Sequence, residues 1–504
     1  MNKVFKGLVA VAATAAMAVA GFAGASTAMA AENNYDITVP TTDTHTYSVY
    51  QVFTGDLSKG TLSNIKAGQN FNKNNTANKS AADAAAEIAQ GTYADNTAKL
   101  AAITPYVDLA GTAYGEVSAN TALSAPAGYY LLKDKDAVTG NDAATLFIVQ
   151  VNGPVTVNRK ADKPTFEKKV KDVNDSTGGK TNWQDSADYD VNDEVPFQLT
   201  ATLPTNEADF AAYKTYKLVF HDQQSAGLTF NKESVVVKYG DKTLGASFYT
   251  VTENPEDKDT FDITIADAKA VKDAEDNAIT VAAGGKFTVE YMSTLNENAV
   301  IGSTGNPNEA SLEFSNNPNV GGEGETGKTP TDKVIVFTYQ LDINKTFNGG
   351  TPAENDLPKF KLYKFDSTTN DYTIDRGEVT ITKTEGGKYT ASFKRIDDGK
   401  YKLVETKTPA GFNTAADTLF EITADHDVES DNPQLTVLKI NTTAGNTTTG
   451  NTTTGTVTAD VVNQKGSNLP STGGMGTVLL YVAGIAVFVL AGATLVMALR
   501  RRNA

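Results

Sequence analysis

Tyr401-Lys402-Leu403-Val404-Glu405-Thr406-Lys407-Thr408-Pro409-Ala410-Gly411-Phe412 decides the fold. The stretch alternates with period two, so Tyr401, Leu403 and Glu405 share one face of a strand. A glutamate among core positions is costly unless it is paired or protonated. The same intrusion recurs at Ile343, Lys345, Phe347, where a lysine takes a core position, and at Val457, Ala459, Val461, Asn463, where an asparagine does. Three polar side chains are thus expected to point inward from an early, a middle and a late strand.

Strand character dominates the chain outward from this stretch. Val, Thr, Tyr and Phe alternate with Lys, Asp and Asn, punctuated by Gly and Asn-Gly turns. Only residues 80–103 read clearly as helix: Ser80 and Asp83 form a capping pair, Ala-rich sequence follows, and Gly91 and Pro105 punctuate it. The expected fold class is all-β, with three immunoglobulin-like β-sandwich domains in tandem and a small helical insertion in the first. Composition breaks set the boundaries. Lys160-Ala161-Asp162-Lys163-Pro164 closes a first domain at 31–160, and the Gly-rich run 319–327 closes a second at 161–329. The third is expected over 330–463, with the Thr/Asn/Gly tract 442–455 as one of its loops, because strand character resumes at 456–463.

The second domain repeats the pattern. Phe166, Lys168 and Val170 alternate on one strand, Leu218, Phe220 and Asp222 on another, and Leu312, Phe314 and Asn316 on a third. A slip of one residue would exchange the faces and bring in Lys169 and Asn317 instead.

Both ends carry export signals. Lys3 and Lys6 precede an apolar run from Leu8, and Ala28-Met29-Ala30 has the small-x-small pattern of a signal peptidase site, so residues 1–30 are expected to be removed. At the other end, 464–504, Leu469-Pro470-Ser471-Thr472-Gly473 precedes an apolar run at 477–499 and then Arg500-Arg501-Arg502. As a helix that run spans about 34 Å, enough to cross a bilayer, and the arginines hold its end inside. The region between, 31–472, has 39 basic against 60 acidic residues, a formal charge of −21, which argues against nucleic acid as a partner. No cysteine is present, so an exported chain of this kind has no disulfide with which to staple its domains.

A Leu-Pro-x-Thr-Gly sequence just outside such a span resembles the sorting signal of Gram-positive surface proteins. The YKLVET-x3-AGF stretch resembles the E-box of collagen-binding-protein B-type domains in Gram-positive pilins. Together they make the chain similar to the major, shaft-forming pilins of sortase-assembled pili. The resemblance implies a Lys345 to Asn463 isopeptide bond promoted by Glu405, and in the second domain a Lys168 to Asn316 bond with Asp222 as the acid. It also implies that sortase cuts between Thr472 and Gly473 and transfers the threonine carbonyl to a lysine of the next subunit. The family's acceptor lysine stands at the end of the first domain in a Tyr-Pro-Lys context. The matching position reads Asn158-Arg159-Lys160, so Lys160 is the expected acceptor and Lys163 its neighbour. In the first domain, 47–56 and 125–132 are similar to the opening and closing strands of the pilin N-terminal domain, without a lysine, acid and asparagine trio.

The implied partners are pilus-specific and housekeeping sortases, identical subunits head to tail, peptidoglycan, and a host glycan or extracellular-matrix ligand. A monomeric wall-anchored adhesin and a basal pilin share the same signals. No cofactor and no multiple-turnover catalysis are expected. The three histidines, His45, His221 and His426, fall one in each domain, which disfavours a zinc site or a catalytic triad. Asp134, Asp136, Asn141 and Asp142 lack EF-hand spacing and read as a solvated acidic turn.

Overall fold

The computed structural model describes residues 34–466, apart from 59, 76, 93–99, 101, 137, 139, 141, 158–161, 257, 319–324 and 443–444. The signal segment, Lys160, the Leu469–Gly473 motif and the apolar run at 477–499 therefore lie outside the described residues. Among those described, no helix is long and apolar enough to cross a membrane.

The architecture is all-β in three successive units. In the first, strand Thr46–Ser58 pairs with Thr61–Ala67, Gly115–Ser118 and Gly128–Asp134, and a smaller three-stranded sheet centres on Asn34–Thr38. A helix runs Ala81–Gln90, and helical backbone returns at 100 and 102–103, so the expected 80–103 helix is interrupted after Gln90, with 93–99 and 101 outside the described residues. Ser80 caps Ala81–Gln90 by accepting from the Asp83 amide at 3.2 Å, and Gly91 ends it. The buried face is Ala81, Ala84, Ala85 and Ile88, an apolar stripe at helical spacing that packs under the sheet. Part of the acidic turn is engaged, Asp134 and Asp142 bonding the two ring nitrogens of His45 at 2.6 and 2.8 Å, while Asp136 is exposed to solvent as expected.

The second unit is a sandwich of two sheets. One carries Thr165–Val170, Glu194–Thr202, Lys286–Leu295 and Leu228–Tyr239; the other carries Leu218–Gln224, Asn306–Ser315 and Phe261–Ile265. A short helix, Glu207–Ala212, was not expected from the sequence.

The boundary at 329/330 needs correction. Strand Asp332–Phe337 pairs antiparallel with Asn306–Ser315 of the second unit, Asn306 opposite Val336 and Ala310 opposite Asp332. Its run Val334-Ile335-Val336-Phe337 is apolar on both faces, as expected of a strand covered on both sides. Val334 and Val336 enter the core of the second unit, while Ile335 and Phe337 enter that of the third. The two domains share this strand rather than meeting at a linker.

In the third unit, Tyr339–Asn348 lies between Tyr389–Ile396 and Thr456–Gln464. The facing sheet has Gly399–Lys407 at its middle, flanked by Lys359–Asp366 and Thr418–His426. The first and last strands pair in parallel, with Lys345 opposite Val461 and Phe347 opposite Asn463. The Thr-rich tract folds back within the domain, Thr447–Thr449 pairing with Leu435–Thr442.

Candidate functional site

Alternation in the third domain puts its three polar intruders where the sequence places them. Lys345, Glu405 and Asn463 are 3%, 7% and 0% exposed. Asn463 donates through Nδ2 to Glu405 Oε2 at 2.9 Å and to the Asn413 carbonyl at 2.6 Å, and the Ala415 amide donates to the same Glu405 oxygen at 2.5 Å. Glu405 Oε1 and Asn463 Oδ1 are buried without a hydrogen-bond partner. Lys345 Nζ donates only to the main-chain carbonyls of Thr346 and Val461, at 3.0 and 3.2 Å, and lies 4.7 Å from the centre of the Phe347 ring. Burial lowers the Lys345 pKa to about 8, the charge of Glu405 opposing only part of the shift. A lysine that sheds its proton so easily is a usable nucleophile.

That shift fixes the sign of a pH dependence. Between about pH 8 and its ordinary value of 10.5, the folded amine is neutral while the unfolded chain still binds the proton. The unfolded state then holds more protons, so stability rises with pH in this window. In an Asn463→Ala chain, which keeps the amine free, the denaturant midpoint of the third domain is expected to climb from pH 8 to 10. Adding Lys345→Met should flatten that climb. An equal climb in both chains would show that Lys345 is not its source.

The second domain builds a related centre across its sandwich. Lys168 and Asp222 come from facing sheets, are both 0% exposed, and meet at 2.5 Å. Tyr291 bridges them: Lys168 Nζ donates to its hydroxyl at 2.9 Å, and that hydroxyl donates to Asp222 Oδ2 at 2.7 Å. Burial lowers the pKa of Lys168 and raises that of Asp222, each partly opposed by the other's charge. Both shifts favour the neutral amine and the neutral carboxyl.

Asn316 is not part of this centre. Asp222 stands opposite Ala310, so Asn316, six residues further along, lies about 20 Å away at about 3.3 Å per residue. It is fully buried against the first domain instead: its Nδ2 donates to the Val138 carbonyl at 3.0 Å, its main-chain carbonyl accepts from the Ala144 amide at 2.5 Å, and its Oδ1 has no hydrogen-bond partner. The off-register alternatives fail as well. Lys169 pairs with Asp185 at 2.6 Å and Glu167 at 3.3 Å, and Asn317 bonds Glu325 at 2.8 Å. The asparagine that does reach the centre is Asn308, 0% exposed, which donates to the Tyr291 hydroxyl at 2.9 Å and leaves its Oδ1 without a partner. The signal for it was in the sequence: Asn308 belongs to the same alternation as Ala310, Leu312 and Phe314, at the opposite end of the strand from Asn316.

In the first domain, none of the described lysines before residue 158 is buried, so no third centre forms among those residues. Its buried polar contacts include Gln51, which donates to the Tyr130 hydroxyl at 2.9 Å, and Thr145, whose amide donates to Asp134 at 2.6 Å.

A family model for the SpaA prealbumin-like fold domain matches residues 353–434, which contain Glu405 and the strand that carries it. The trypsin-resistant surface T6 protein of Streptococcus pyogenes is 29% identical over 282 residues, 53% of this chain; the chain spans about half of that relative, 46% of its length. Among solved structures, the T6 backbone pilin of serotype M6 Streptococcus pyogenes matches with a TM-score of 0.50 at 18% identity, covering 87% of this chain and all of that one. The major pilin SpaD of Corynebacterium diphtheriae aligns over 86% of this chain and 98% of its own, with a TM-score of 0.47 and 17% identity. In its multidomain β fold and in the sequence of its third domain, this chain resembles the backbone pilins of Gram-positive pili.

Proposed function

We propose that this chain is the structural shaft subunit of a covalently polymerised surface pilus, exported and anchored to the cell wall, with two internal crosslinks made once per molecule. The carrying observation is the buried Lys345, Glu405 and Asn463 constellation on the first, middle and last strands of the third domain. The neutral Lys345 amine attacks Asn463 Cγ, and the Glu405 carboxyl, hydrogen-bonded to the Asn463 amide at 2.9 Å, promotes the step by relaying a proton from the amine toward the leaving nitrogen. The Cγ–Nδ2 bond breaks, the amine proton goes to the leaving nitrogen, and ammonia departs. In the second domain the same chemistry joins Lys168 to Asn308 with Asp222 as the acid.

Tension explains the placement. A bond between the first and last strands of the third domain carries load directly from one end of the domain to the other, bypassing the hydrogen-bonded ladder. In the second domain the bond ties one sheet to the other. Such stapling suits a cysteine-free subunit in a fibre, in which sortase joins Thr472 of one subunit to Lys160 of the next. Head-to-tail contact of this kind is heterologous and leaves the fibre open. The remaining partners on this reading are the sortases and peptidoglycan, with adhesion as the outcome for the cell.

The second reading is a wall-anchored monomer, favoured by Asn158-Arg159 standing where the pilin motif has Tyr-Pro. A denaturing immunoblot of enzymatically released cell wall separates the two. The native chain is expected to give a boiling-resistant ladder that collapses to monomer with Lys160→Ala. A ladder that persists moves the acceptor to another lysine, Lys163 first, and a single band in both strains ends the shaft reading.

A further inference from the structure

The junction between the second and third domains buries more acid than its cations balance. Lys364, 0% exposed, takes Asp397 at 2.7 Å, Asp190 at 2.9 Å and Asp175 at 3.2 Å, and Arg376 adds a contact to Asp190 at 3.2 Å. Beside this group, Asp172 and Asp188 of the second domain face His426 of the third.

The hydrogen bonds of His426 define its tautomer. Nδ1 lies 2.7 Å from Ser186 Oγ, and that hydroxyl donates its single hydrogen to the Asp427 carbonyl at 2.5 Å. Ser186 can therefore only accept from the imidazole, so Nδ1 carries the hydrogen and Nε2 is turned toward the carboxylates. Nε2 stands 3.8 Å from Asp172 Oδ2 and 3.8 Å from Asp188 Oδ1, too far for hydrogen bonds. Two ligands held about 2.0 to 2.2 Å from one zinc ion are about 3.4 Å apart at a tetrahedral angle and further apart as the angle opens. The spacing is that of ligands around an ion rather than of a hydrogen-bonded pair. Independently, Asp188 is 3% exposed and its Oδ2 has no hydrogen-bond partner, an orphaned anionic oxygen in the junction. The neighbouring Tyr339 hydroxyl, also fully buried, faces Asp188, and burial together with the charge of Asp188 holds its pKa well above the ordinary tyrosine value.

We propose that Asp172, Asp188 and His426 form a divalent transition-metal site that ties the second domain to the third. One imidazole with two carboxylates is a donor set for zinc or manganese rather than calcium, which prefers oxygen alone. Ser186 is the outer partner that orients the histidine, the arrangement metal-bound imidazoles commonly have. Because the ligands come from both domains, the bound ion stiffens the joint between them, whether or not the chain polymerises.

The test is zinc titration of the full chain, purified in detergent and stripped with chelator, by calorimetry and by thermal unfolding. One equivalent is expected to bind and to raise the melting temperature. His426→Gln and Asp188→Asn are each expected to weaken binding by about ten-fold or more and to lose the thermal shift. Equal binding by the native chain and both variants, or none by the native chain, overturns the site. Should a variant misfold, X-ray absorption of the zinc-loaded native chain decides. One imidazole with oxygen ligands supports the assignment, and an all-oxygen shell refutes it.

Discussion

A chain carrying Asn463→Ala is expected to lose the crosslink of its third domain, and with it the largest single contribution to that domain's thermal stability. Its intact mass should sit about 17 Da closer to the value calculated from its own sequence than the native chain's does, because one ammonia is no longer expelled. The proposed bond between Lys345 and Asn463 would close a loop of about 118 residues. By the loop-entropy treatment used for disulfides, it stabilises by about 4 to 5 kcal/mol. For a domain of this size that corresponds to a fall in melting temperature on the order of 15 °C. Glu405→Ala should likewise lack this ammonia deficit against its own calculated mass and have nearly the same melting temperature, while leaving both reacting groups in place. Cavity formation alone would lower the melting temperature without changing the mass deficit, so the two readouts together isolate the bond. A native chain whose mass already equals its calculated value would remove this crosslink from the account.

In the second domain the expected result turns on two asparagines eight residues apart, one within the strand Asn306–Ser315 and one just past its end. Asn308→Ala should remove the other 17 Da deficit, about one ammonia, and make the domain susceptible to heat and protease. It also leaves a buried lysine and acid that must remain neutral or paired, a cost of about 3 kcal/mol or more when the pair is disturbed. Asn316→Ala should leave the mass deficit untouched. Its effect is expected at the junction with the first domain, where the lost bond to the Val138 carbonyl loosens that contact. Proteolysis after Asn316→Ala should therefore separate the first domain while the second stays resistant. A mass deficit that vanishes with Asn316→Ala and survives Asn308→Ala would restore the pairing expected from sequence.

The contrast between the two centres shows what alternation can convey. In the third domain, Lys345, Glu405 and Asn463 each interrupt an otherwise apolar face, so period two alone indicates that they point inward. In the second domain the same reasoning identified the correct face of the strand and the wrong residue on it. Asn308, Ala310, Leu312, Phe314 and Asn316 all satisfy the alternation, and only the pairing of Asp222 with Ala310 shows which end of the strand reaches the acid. Tyr291 was missed because a tyrosine on a core face gives no sign that its hydroxyl bridges two ionisable groups.

By itself, the sequence determined the strand periodicity, the faces on which the buried lysines and acids lie and the absence of disulfides, and it alone carries the expectation of export signals at the two ends. These follow from local chemistry: side-chain polarity at a period of two, and runs of charge and hydrophobicity. Only the tertiary structure decided the register between strands distant in the chain, the sharing of Asp332–Phe337 by two domains, and the meeting of His426 with Asp172 and Asp188. Each of these depends on which residues are brought opposite one another across more than 20 positions of sequence. Local pattern carries no record of that pairing, because sliding a strand by two residues preserves every inward and outward assignment while changing every partner.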